Sequence, residues 1–312
     1  MHTYTTFTMA SACDGLELSV MLMKPKGRIE AIVQLAHGMA EHKERYLKFM
    51  DFLAKHGIMS VIMDHRGHGA SIRSKEDLGY FYDESGRYIV EDTHQLTLLI
   101  KQAYPKLPYV LFGHSMGSLV VRAYSKRYDE DIDGLIVCGS PSKNPLAPLA
   151  LRFVKLLEKI KSDHYRSKLI QHLAFSGYER RFVNEGSRNA WLSANQENVK
   201  RYDACELCGF IFTLNGFKNL FSLMIEVYDR VGWKCLNKKL PIVFIAGNDD
   251  PCIINEEKFC QAYTFLQDIG YMNMEHKLFD KLRHEILLEK DADMVYEYIY
   301  DWIVEKVLKK HN

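Results

Sequence analysis

No apolar run in this 312-residue chain approaches the roughly 18 residues that a membrane-spanning helix needs. There is no basic tract, and 41 Lys+Arg against 40 Asp+Glu leave a net charge of +1, so the electrostatic footprint of a nucleic-acid-binding protein is missing. A disulfide framework is missing too. The seven cysteines are odd in number and dispersed, some inside apolar runs such as 135–138, which reads as free thiols in a reducing compartment. The start, Met1-His2-Thr3-Tyr4, has no basic end followed by an apolar stretch, so the expectation is a cytoplasmic protein. Repeats and low-complexity segments are absent. The remainder is ordinary for a globular chain, with 47% apolar and 26% charged residues.

Against that plain background one pentapeptide stands out: Gly113-His114-Ser115-Met116-Gly117. It lies between the apolar run Tyr109–Phe112 and a helix-like run that starts at Ser118. Glycines two places either side of a serine permit a very sharp strand-to-helix turn, which exposes the hydroxyl at the C-terminal edge of a sheet. The pattern alone is weak, because context rather than the five residues gives it meaning.

The context is an alternation of strand and helix signals. Strands are expected at Tyr4–Met9, Leu16–Met23, Ala31–Ala36, Ile58–Met63, Tyr109–Phe112 and Gly134–Cys138, with helical patterns around Tyr46–Leu53, over Ile89–Tyr104 and over Leu119–Arg127. This implies a mostly parallel sheet covered by helices on both faces. From 141 to 239 the strands stop and helical patterns take over, for example Phe153, Leu156, Leu157 and Ile160 on one face and Phe217, Leu220, Phe221 and Met224 on another. The sheet resumes at Pro241–Ala246 and ends with strand Asn273–Phe279 and a helix over Ala292–Leu308. The expected division is a core of 1–140 and 240–312 with a helical insertion at 141–239.

A serine hydroxyl needs a positioned base, and the base needs an orienting acid, in the chain order Ser, acid, His. Histidines before Ser115 are out of order, His164 and His172 fall in the insertion, His276 is mid-strand and His311 is in the tail. His284 remains, in the loop after the last strand. For the acid, Asp249 and Asp250 follow the strand at 241–246, and Pro251 holds Asp250 in an extended conformation, which favours Asp250. The oxyanion donors expected are the backbone N–H groups of Met116 and of Met39 in the loop His37-Gly38-Met39-Ala40. The run Asp64-His65-Arg66-Gly67-His68-Gly69 is read as a polar turn rather than a metal site, and Cys205-Glu206-Leu207-Cys208 as core packing rather than half a zinc site. Cys252 lies close enough to Asp250 in sequence to sit near the site.

Taken together, 37–42 with Arg45-Tyr46, 64–71, 113–117, Asp250-Pro251 and Arg283-His284-Glu285 resemble the monoacylglycerol lipase/lysophospholipase-like branch of the α/β-hydrolases, of the serine aminopeptidase S33 type. The resemblance implies an eight-stranded, mostly parallel sheet, with the insertion as a cap whose apolar inner face admits an acyl chain. It also implies catalytic roles for Ser115, Asp250 and His284 and oxyanion donors at Met39 and Met116. No cofactor or metal is called for, the partner is a small acyl ester, and an apolar rim of the cap would allow transient contact with a lipid surface. The chain departs from the branch at Ala40 and Ser118, where glycine is frequent. Short-chain or aryl esterase, amidase or peptidase, and a non-catalytic binder remain the alternatives.

Overall fold

Side chains alternate between the two faces of a strand, so each buried strand must supply two cores at once. In the computed structural model, which describes residues 2–309, β1 (Tyr4–Ala10) and β2 (Glu17–Met23) form an antiparallel hairpin around Asp14-Gly15. There follow β3 (Ala31–Ala36), α1 (Leu47–Lys55), β4 (Ile58–Met63), α2 (Arg87–Ala103), β5 (Tyr109–His114), α3 (Met116–Tyr128) and β6 (Gly134–Cys138). Four helices come next: α4 (Ala147–Glu158), α5 (Lys168–Arg181), α6 (Gln196–Ala204) and α7 (Leu214–Glu226). The chain then returns to the sheet through β7 (Ile242–Gly247), α8 (Glu256–Ile269), β8 (Met274–Phe279) and α9 (Ala292–Ile303). His311 lies outside the described residues.

The eight strands form one sheet in the order β1-β2-β4-β3-β5-β6-β7-β8, parallel from β4 to β8 and antiparallel at β1 and β2. Ile32, Tyr109 and Leu111 enter one core with Ile89 of α2, Leu119 of α3 and Leu266 of α8. Val33, Val110 and Phe112 enter the other with Phe49 of α1 and Val295 and Trp302 of α9. The C-terminal ends of β3, β5, β6, β7 and β8 therefore point the same way, and the loops that leave them gather at one edge. In open parallel sheets that edge is where ligands bind.

Three local differences from the sequence expectations have simple causes. Helix α3 begins at Met116 rather than Leu119, because the turn at Ser115 leads straight into it. The last helix is regular only to Ile303, and 304–308 continue as a wider π turn. Helix α4 ends at Glu158, and of the apolar face expected there Leu157 packs against the core beside the buried Val154, whereas Leu156 and, past the helix, Ile160 are 57% and 73% exposed. No helix among the described residues is long and apolar enough to cross a membrane.

Candidate active site

β5 runs between β3 and β6, and Ser115 sits where it ends. Ser115 has φ 54 and ψ −118, a conformation that costs an L-residue about 1–3 kcal/mol and persists only where the surroundings enforce it. The two glycines do so. A Cβ on Gly113 would lie 2.3 Å from the Gly117 carbonyl oxygen, and one on Gly117 would lie 2.1 Å from the Ala36 carbonyl oxygen. The Ser115 N–H donates to the Cys138 carbonyl at 2.9 Å, and the Ser118 hydroxyl donates to the Ser115 carbonyl at 2.5 Å. Among the described residues nothing hydrogen-bonds the Ser115 hydroxyl, which faces a cavity of about 600 Å³.

Two loops deliver the next groups to the same cavity. Backbone N–H groups of Asn248 and Asp249 donate to the Phe279 and Leu282 carbonyls at 2.8 and 3.0 Å, which stitches the loop after β7 to the loop after β8. Within that clamp His284 Nδ1–H donates to Asp250 Oδ2 at 2.8 Å, with both side chains buried. The other Asp250 oxygen accepts from the Cys252 N–H at 2.8 Å, so the carboxylate is held at both ends. With Nδ1 protonated, Nε2 is the acceptor nitrogen of His284, and the residue lines the cavity together with Ser115. Asp249 points elsewhere and pairs with Arg181 of α5 at 3.1 Å, both half-exposed. Exposed pairs of this kind contribute about 0–1 kcal/mol. Asp249→Asn is accordingly expected to leave kcat/KM for an ester within about twofold of the parent, a value steady-state kinetics would check.

The loop after β3 is oriented by a histidine. Burial and the neighbouring His68 hold His37 down to about 3, so its ring is neutral. Its Nε2 accepts from the His65 N–H at 2.9 Å, which leaves Nδ1–H to donate to the Gly38 carbonyl at 2.8 Å. In a trans peptide the carbonyl and the following N–H point in opposite directions. Fixing the Gly38 carbonyl toward His37 therefore turns the Met39 N–H away from it. Met116 is the first residue of α3, where an N–H has no intrahelical acceptor. Met39 and Met116 both line the cavity. Ala40, at φ 52, occupies the left-handed region in which glycine would be at ease. Its carbonyl is tied to the insertion by the Gly209 N–H at 2.9 Å and the Tyr202 hydroxyl at 3.0 Å.

Beneath these groups lies a buried charge network that no local pattern in the sequence indicates. Arg45 donates to Glu41 Oε2 at 2.7 Å and to the two Glu285 oxygens at 2.5 and 2.7 Å. Tyr46 OH donates to Glu41 Oε1 at 3.0 Å, and Asn198 of α6 donates to Glu285 Oε2 at 2.6 Å. His114 stands between the network and the catalytic candidates: Nδ1 is 3.4 Å from Glu41 Oε1, and Nε2–H donates to the His284 carbonyl at 3.0 Å. Burial would lower the His114 pKa, but its contacts with Glu41 override that and raise it. Chain order excludes His114 as the base, and nothing local in the sequence assigns it another role. The i, i+4 spacing of Glu41 and Arg45 was the available signal, and it ordinarily marks a solvated helix face.

The remaining motifs fall as follows. Asp64 accepts from the Lys43 ammonium at 2.6 Å and from the N–H groups of Lys43 and Ala70 at 2.8 and 2.9 Å, the polar turn expected of 64–69. Arg66 is buried on Asp92 at 2.8 Å. His276 lies exposed on the edge strand β8. Cys252 lines the cavity wall. Cys208 packs against Leu192 and Tyr202, and Cys205 lies 3.5 Å from His42 Nε2, a neighbour the sequence did not indicate.

This fold, with a serine on a strained turn above the sheet, defines a serine hydrolase of the α/β-hydrolase class. The chain belongs to the family described as serine aminopeptidase, S33, which matches residues 27–291. It is 37% identical to a monoglyceride lipase homolog of Monkeypox virus over 286 residues, covering 91% of this chain and 93% of that one. To a monoacylglycerol lipase of Mycolicibacterium smegmatis it is 31% identical over 152 residues, 47% of this chain and about half (51%) of the relative's length. In three dimensions it matches the structure of a thermostable carboxyl esterase from Bacillus coagulans with a TM-score of 0.90 at 24% identity, covering 98% and 99% of the two chains.

Proposed function

We propose that the chain hydrolyses carboxylic esters of single-chain lipids, of monoacylglycerol or lysophospholipid type. The observation that carries the reading is the His284–Asp250 pair at 2.8 Å opening, with Ser115, into a cavity whose far wall is Leu149, Phe153, Leu173, Phe221 and Met224. Ser115 Oγ attacks the ester carbonyl and passes its proton to His284 Nε2, while the N–H groups of Met39 and Met116 receive the oxyanion. The imidazolium then protonates the leaving alcohol, which departs and leaves an acyl-enzyme. Next, His284 takes a proton from water, hydroxide adds to the acyl carbonyl, and collapse releases the acid and returns the proton to Ser115. Asp250 holds the imidazole in the Nδ1–H tautomer throughout. Residues 141–239 serve as the cap, with α4, α5 and α7 providing the acyl wall.

Similarity to a monoacylglycerol lipase and a monoglyceride lipase homolog supports a monoglyceride, and the cavity favours an apolar chain over an amine. The acids on its wall are already engaged, Glu41 and Glu285 by Arg45 and Glu179 by Arg188 at 2.9 Å. Leu146, Leu156, Ile160 and Leu169 lie exposed on the cap, which suits a lipid surface.

A p-nitrophenyl ester series from acetate to laurate, run beside monoacylglycerol and an aminoacyl anilide, tests the reading. Each buried methylene contributes about 0.8 kcal/mol, so kcat/KM should rise up to roughly fourfold per CH₂ until the cavity is filled. An optimum at acetate would replace the lipid assignment by short-chain esterase, and faster anilide turnover would replace it by peptidase. With monoacylglycerol presented in phosphatidylcholine vesicles, Leu156→Glu/Ile160→Glu should slow turnover while leaving soluble esters unaffected. Equal loss on both substrates, or on neither, would remove the surface contact.

A further inference from the structure

We infer that His42, Cys205 and Cys208 form a binding site for a divalent metal of the zinc type, one that joins the helical insertion to the loop after β3. This inference stands apart from the hydrolase reading and uses none of its proposed catalytic or cavity-lining residues. His42 begins the turn that follows the β3 loop, whereas Cys205 and Cys208 close α6, 163 and 166 positions further along the chain. The fold nevertheless brings one ligand atom from each of the three within 4.8 Å of the others.

The spacing fits a tetrahedral ion. With metal–nitrogen and metal–sulfur bonds of about 2.05 and 2.3 Å, the nitrogen–sulfur edge of a tetrahedron is about 3.6 Å. The separation of His42 Nε2 and Cys205 Sγ is 3.5 Å. The imidazole is also set for ligation. Its Nδ1–H donates to Glu44 Oε2 at 2.6 Å, which fixes the tautomer and leaves the Nε2 lone pair toward the thiols. A carboxylate behind a histidine is the usual outer support of a metal ligand. Glu44 is in turn held by the Lys43 ammonium at 2.9 Å.

The thiols match this arrangement. They sit in one turn just past α6, where the Cys208 N–H donates to the Cys205 carbonyl at 3.0 Å. Cys-x-x-Cys is the spacing at which a tight turn presents two sulfurs to one ion. His42 and Cys205 are partly exposed, which gives the ion a way in and leaves its fourth position to water. On binding, M²⁺ takes up the neutral Nε2 and both thiolates, and two thiol protons go to solvent. A simple S–H···N contact would need neither the second cysteine nor the glutamate.

The test is titration of the reduced, metal-free full chain with Co²⁺ under argon. One equivalent should produce a thiolate-to-cobalt charge-transfer absorption in the near ultraviolet and tetrahedral d–d bands, and one equivalent of Zn²⁺ should abolish both. Zn²⁺ at about a hundred times its dissociation constant should raise Tm by roughly 4 °C. Cys205→Ser, Cys208→Ser and His42→Gln should each lose the spectrum and the Tm rise, while Cys13→Ser and Cys260→Ser retain both. Metal-free Tm values near that of the parent would show that the three variants fold. Absence of a charge-transfer band in the reduced parent overturns the site, as does an undiminished spectrum in any of the three variants.

Discussion

Ser115→Ala should abolish labelling by a fluorophosphonate probe and lower ester turnover by about 10⁶, with His284→Ala losing a similar amount. The double variant should be no worse than either single one, because a hydroxyl without its base and a base without its hydroxyl are equally idle. Asp250→Asn should cost about 10⁴, since the amide presents N–H where His284 Nδ1–H needs an acceptor and the ring turns to the wrong tautomer. Residual catalysis from the N–H groups of Met39 and Met116 should survive all three changes. Labelling that persists in Ser115→Ala would remove the assignment. So would an additive loss in the double variant. Gel-based labelling and burst kinetics read both outcomes directly.

Arg45→Met should lower stability by about 3–5 kcal/mol. Glu41 and Glu285 are both buried and both bonded to this one guanidinium, so its removal leaves two carboxylates facing each other out of water. The effect has a defined pH dependence. Burial would raise the Glu41 pKa, but Arg45 and His114 outweigh it and hold the carboxyl well below 4.5 in the folded chain. A depressed folded pKa contributes stability above the unfolded value, and that stability is lost as pH falls through the folded one. The gap between parent and variant should therefore be widest near neutrality and close as the medium is acidified below about pH 4.5. Arg45→Met/Glu41→Gln/Glu285→Gln should recover much of the loss, because neutral amides are cheaper to bury. Urea denaturation at several pH values measures each quantity. A gap that does not change with pH would show that packing of the long side chain, rather than its charge, is what matters.

What could be read beforehand follows the range of the interactions involved. Strand periodicity is local, so the strands were legible to within one or two residues, Gly134–Cys138 and Ala31–Ala36 to the residue. The placement of Ser115, Asp250 and His284 at strand ends beside one cavity was legible because sharp turns leave a chemical trace: paired glycines, a proline after the acid, a histidine after the last strand. The structure adds the steric reason for those glycines, and the separate pairing of Asp249 with Arg181, which no local rule indicates. Helices α5 and α6 were not individually visible, because α5 exposes Leu169 and Leu173 while burying Ile170, so its apolar residues do not form one stripe. That Arg45 and Glu285, visible only as motif residues, join with Asn198 in one network was not legible for a related reason. Each is an ordinary surface residue type, and only contacts across 87 to 240 positions make them a unit. His42 with Cys205 belongs to the same category.

One carbonyl carries a consequence of its own. The oxygen of Ala40 is grasped from the insertion by the Gly209 N–H and the Tyr202 hydroxyl, one residue beyond the Met39 N–H. Lifting the insertion to admit a bulky molecule must sever both grips at once, and the peptide next door is then free to swing. Position of the insertion and order of the loop after β3 are thus coupled through a single peptide oxygen.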